Sequence, residues 1–132
     1  MVDTKPPLHR SWSELEQHYR EMLPIAPEMS ELFEAMAKLC SSVEGSHFSG
    51  ALFGHTSLHE LRISQVQTTY HLHPSILWLV VAPNLDTGQV EFRFEDTYRD
   101  REQWRRVEKP EGVLGRFNGF LRQVGWSYKP ID

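Results

Sequence analysis

Residues 76–96, ILWLVVAPNLDTGQVEFRFED, constrain the fold more than any other stretch of the chain. Seven consecutive residues, Ile76 to Ala82, are apolar, and three of them are β-branched. A run without a polar face predicts a strand at the centre of a sheet. Pro83, Asn84, Asp86 and Gly88 then supply turn chemistry. After the turn, apolar and charged residues alternate: Val90, Phe92 and Phe94 on one face, Glu91, Arg93 and Glu95 on the other. The stretch is a β-hairpin with a charged face, and the rest of the chain is expected to cover it.

The flanking sequence supplies helices. Ser11-Trp12-Ser13-Glu14 matches a capping box. A helix from there runs to about Met22, with Trp12, Leu15, Tyr19 and Met22 on one stripe, and Pro24 stops it. Pro27 opens a second helix, whose stripe is Met29, Leu32, Phe33, Met36, Leu39, Cys40 and Val43, with Gly45 at its end. Short strands are expected around residues 51–53 and 60–66, with loops between. Residues 102–107 are read as a further short strand, since Trp104 and Val107 make no helical stripe. Pro110 and Glu111 open a last helix through Val113, Leu114, Phe117, Phe120, Leu121 and Val124. The expected fold is α+β: an antiparallel meander of four to five strands, with two N-terminal helices and one C-terminal helix packed on the sheet.

A chain of 132 residues is one domain, placed at 11–132 behind a flexible lead-in at 1–10. Hydrophobic residues at 39% are enough for one core. Cys40 is the lone cysteine, so no internal disulfide forms, and a reducing, cytoplasmic setting is expected. The N-terminal MVDTKPPLHR carries no apolar segment of the signal-peptide type, and no apolar run reaches membrane-spanning length. A net charge of -4 argues against nucleic acid as a partner and for a basic one.

Seven histidines raise the question of a metal. His55 and His59 have helical ligand spacing, and His71 and His73 would share a strand face. His55–His59 falls in a segment read as loop, where that spacing loses its meaning, and the plainer reading is polar loop histidines. Cys40 lies on an apolar stripe and reads as a small core residue rather than a nucleophile. The carboxylates of residues 91–100 are interspersed with arginines, which favours ion pairs over acid–base work. No phosphate-binding glycine loop, G-x-S-x-G, H-E-x-x-H or calcium loop occurs.

These observations point to a non-enzymatic protein-interaction domain with no cofactor. Its concrete form is a small bacterial protein that binds another protein, as immunity proteins do. The expected interaction surface comprises Trp78, Glu91, Arg93, Glu95, Arg99, Trp104 and Arg105, where aromatic and arginine side chains of the kind enriched at interfaces gather. The alternative is a small-molecule or metal-binding domain, or an enzyme, with a histidine-lined pocket between helices and sheet. One structural demand is sharper. Alternation turns Ile76, Trp78 and Val80 one way and Leu77, Leu79 and Val81 the other, so one of these apolar rows lies beside the charged row of Glu91, Arg93 and Glu95, where open solvent does not suit it. Another chain, a second copy or a different protein, is expected to cover it at least in part.

Overall fold

The structure is a computed structural model that describes residues 9–65, 77–96, 101–123 and 126. Helix α1 spans Trp12–Arg20. The capping box that opens it is formed: the Glu14 amide donates to Ser11 Oγ at 3.1 Å, and the Ser11 amide donates to the Glu14 carboxylate at 3.4 Å. A turn of 3-10 helix at Pro27–Met29 leads into α2, Ser30–Glu44. The stripe read from sequence is the buried one: Leu32, Phe33, Met36, Leu39, Cys40 and Val43 all face the core.

Five strands follow: β1 Phe53–Ser57, β2 Glu60–Ser64, β3 Leu77–Asn84, β4 Gln89–Asp96 and β5 Arg101–Glu108. They form one antiparallel sheet in sequence order. Helix α3, Val113–Gln123, closes the fold. The α+β meander with two N-terminal helices and one C-terminal helix is therefore as the patterning requires. Residues 102–107 lie within β5. Two details differ. The first strand begins at Phe53 rather than Ala51, because Leu52 turns into the core while the polar Gly54–Ser57 segment pairs with β2. The β4–β5 ladder also shifts register between Phe94 and Glu95, which a strict alternation rule does not foresee.

All three helices pack on one face of the sheet. Leu61, Ile63, Leu79, Val81, Val90 and Phe92 join the helical stripes in a single buried cluster. Helix α1 lies so close to β1 that a Cβ at Gly54 would stand 2.9 Å from the Trp12 ring and 3.1 Å from Leu15. The Trp12 indole donates to the Leu52 carbonyl at 3.1 Å. The chain just before α1 is tied down as well, since the Arg10 amide donates to the Gly54 carbonyl at 2.8 Å. The β3–β4 turn is held by Asn84, whose side-chain oxygen accepts from the Asp86 and Thr87 amides. Gly88, at φ +72°, supplies the left-handed residue that this turn needs.

Candidate functional site

The outer face of the sheet carries the charged row, and its order follows from the register. His55 sits opposite Arg62, Arg62 opposite Val80, Val80 opposite Arg93, and Arg93 opposite Arg105. Val80 thus lies between two arginines. Glu60 and Glu95 each bridge both of them. Arg62 reaches Glu60 at 3.4 Å and Glu95 at 2.8 Å, while Arg93 reaches each at 3.0 Å. Arg62, Glu60, Arg93 and Glu95 therefore close a four-membered ring of alternating charge around a valine that is 0% exposed. Glu91 adds a further contact to Arg93 at 2.8 Å, and Arg105 reaches Glu91 at 3.4 Å from the rim. Burial works against the Arg93 charge, but the hydrogen bonds it donates to Glu91, Glu60 and Glu95 outweigh it and raise its pKa.

This ring answers the demand made by the apolar row. Trp78, Val80 and Ala82 form a small buried cluster of their own within the single chain. The Arg62 guanidinium stands 5.8 Å over the Trp78 ring, and His55 meets that ring edge-on at 5.1 Å. The expectation that another chain must cover the row is corrected: the stems of paired charges on neighbouring strands shade it.

The residues expected to form an interaction surface divide accordingly. Glu91, Arg93, Glu95 and Arg105 do come together on the outer face. Trp78 is on that face but only 1% exposed, so its ring is not presented to a partner. Trp104 belongs to the opposite face, opposite Phe94 and 5.5 Å from Phe120, with Arg106 4.9 Å over its ring. Arg99 lies outside the described residues.

The histidines are dispersed. His55, on the sheet face, is held down to about 4 by burial and then by Arg62. His59, in the β1–β2 turn, packs instead against Phe33 and against His18 of α1, with ring centroids 5.7 Å apart in both cases. His18 is itself lowered by burial and by His59, against the pull of Glu21. Sequence spacing paired His59 with His55; folding pairs it with His18, because Tyr19 on α1 donates its hydroxyl to the His59 carbonyl at 2.9 Å. His71 and His73 lie outside the described residues. Among the described residues, no three histidine, cysteine or acidic side chains converge as a metal would require. Cys40 is fully buried, and burial, reinforced by Glu16, pushes its thiol far above the ordinary range. Two surface clefts, of about 690 and 720 Å³, are walled by α2 with the Pro110–Leu114 segment and by residues 9–14 with 49–53.

A feature that the sequence reading missed lies at the tip of the β1–β2 hairpin. The turn has two central residues, Leu58 and His59, between paired Ser57 and Glu60. Leu58 has φ +57° and is 90% exposed. Glycine, asparagine or aspartate usually fills such a position, so leucine there strains the backbone and leaves a large apolar side chain in water. Ile25 in the α1–α2 connection is 72% exposed, and Leu85 in the β3–β4 turn is 44% exposed. The signal available in the sequence was a hairpin without a turn residue at its tip.

No family model, no curated protein and no solved structure matches this chain. No helix among the described residues is long and apolar enough to cross a membrane.

Proposed function

We propose that this protein is a non-enzymatic interaction domain that binds another protein. Leu58 carries the reading. A leucine held in left-handed backbone costs the fold of order 1 kcal/mol, and at 90% exposure it returns almost no burial. Such a residue makes sense where something outside the chain buries it. The concrete form we favour is a small bacterial, cytoplasmic binder that blocks or supports a second protein, in the manner of immunity proteins.

The test is affinity capture from the source cells with the intact chain, followed by reconstitution of the purified pair and sedimentation. A stoichiometric complex that Leu58→Asn weakens is the expected result. Recovery of no stoichiometric partner counts against the interaction reading.

A further inference from the structure

We infer that the end of the molecule formed by the β1–β2 turn, the β3–β4 turn and the α1–α2 connection is a docking surface for a basic protein. The inference rests on the interaction-domain reading and names its surface and the chemistry of its partner.

The placement follows from topology. In an antiparallel meander the first and third connections leave the same end of the sheet, so Leu58 and Leu85 stand side by side. Neighbouring strands are about 4.8 Å apart, so the two hairpin tips are separated by roughly 10 Å. The α1–α2 connection is brought to the same end from both of its sides. Tyr19, just before it, donates to the His59 carbonyl, and Phe33, just after it, packs its ring against His59. Ile25 therefore joins Leu58 and Leu85. Three of the large apolar side chains that the fold leaves exposed gather on one end, on three separate connections.

The charged residues within the three connections are all acidic, and Arg20, at the end of α1, is already paired with Glu16 and Glu34. Glu21, Glu28 and Asp86 are exposed on the same connections. None of the three is ion-paired with another described residue. Lys109 stands at the corner beyond β5, the strand farthest from Leu58. By contrast, the carboxylates of the outer sheet face are neutralised by their own arginines. An apolar centre with an unpaired acidic rim fits a partner that offers apolar side chains among lysines and arginines. A second copy of this chain would set the same three carboxylates against each other across a two-fold axis, so the occupant is a different protein.

The test uses the full-length, isotopically labelled protein and two short amphipathic peptides as probes, one built of leucine and lysine, the other of leucine and glutamate. The leucine–lysine peptide should shift the backbone resonances of Ile25, Leu58 and Leu85 saturably, and the leucine–glutamate peptide should not. Leu58→Asn should weaken the leucine–lysine peptide about tenfold while leaving the urea midpoint unchanged or higher. Glu28→Lys with Asp86→Lys should reverse the preference between peptides. The inference is overturned if neither peptide shifts these three residues, if both bind there equally, if the shifts fall around Arg105 instead, or if Leu58→Asn binds as before. Should it fail while cell capture still yields a stoichiometric partner, the surface and its chemistry are wrong and the interaction reading stands. Failure of capture removes that reading itself.

Discussion

Replacing Arg93 with methionine tests whether the charged ring is structural. Arg93 has a side chain only 15% exposed and faces Glu60, Glu91 and Glu95 at 2.8–3.0 Å. Methionine keeps an unbranched apolar stem beside Val80 but leaves three partly buried carboxylates close together without their shared cation. Exposed ion pairs contribute about 0–1 kcal/mol, and stripping the partner from a fully buried pair costs about 3–5 kcal/mol. These carboxylates are 23–34% exposed, so the loss should fall between those limits, at about 2–3 kcal/mol. Arg105→Met is the control. Its side chain is 54% exposed, so its ion pairs are screened by solvent and the change should cost no more than about 1 kcal/mol. Urea unfolding with a common slope reads both. A double-mutant cycle between Glu60→Gln and Glu95→Gln should show coupling of about 0.5–2 kcal/mol, because each carboxylate bridges the same two arginines. If Arg93→Met and Arg105→Met shift the midpoint equally, or the cycle shows no coupling, the ring does not hold the face closed and the cover over Val80 needs another explanation.

Other substitutions probe the opposite face. Phe33→Ala, in a side chain that is fully buried, should cost about 3–5 kcal/mol, whereas Glu34→Ala loses an exposed ion pair with Arg20 and should stay within about 0.5 kcal/mol; equal urea midpoints would mean the helix phase is misjudged. Gly54→Ala forces the Trp12 and Leu15 side chains apart and should destabilise by about 1–3 kcal/mol, read by thermal unfolding; a neutral result means α1 can slide away from β1. His55 gives a pH signature. Its folded-state pKa of about 4 lies below the ordinary 6.5, so the unfolded chain takes up the proton first and stability falls as pH drops from about 6.5 to 4. The loss should be of order 1–2 kcal/mol once solvent screening at this half-buried ring is allowed for. His55→Gln should flatten that part of the curve relative to the wild type, and parallel curves would show that His55 does not titrate as described.

The parts of the fold legible in the sequence are those set by short-range rules. The capping box at Ser11 and Glu14, the stripe from Leu32 to Val43 and the alternation of Val90, Phe92 and Phe94 each state a period and a face, and periodicity alone orients them. Which charges meet which could not be read in the same way. Glu60 and Arg93 are 33 positions apart, as are Arg62 and Glu95, and only the register of β2, β3 and β4 brings them round Val80. The histidines follow a related rule. The spacing of His55 and His59 carries weight in a helix; in a strand and turn it sends one to the outer face and the other toward α1. Trp104 was grouped with Glu91, Arg93 and Glu95 in one interaction surface, although the pleat places Trp104 with Phe94 on the helix side.

The two exposed features of this chain carry opposite energetic signs, and that contrast separates structure from function. The charged ring faces solvent yet is explained from within. It shades Trp78 and Val80 and satisfies both arginines with its own carboxylates, so folding alone accounts for those residues at those positions. Leu58 has no such account. Asparagine would fit its backbone better, and a polar side chain would suit its exposure better, so replacement should leave the fold as stable or more so. A position where the native residue is worse for the fold than simple alternatives is where selection for something other than folding is visible. Ile25 and Leu85 share that character more weakly, and the three connections that carry them converge on the same end of the sheet. Partner contact is therefore to be sought first at these turn tips rather than on the broad charged face that the sequence brings to notice.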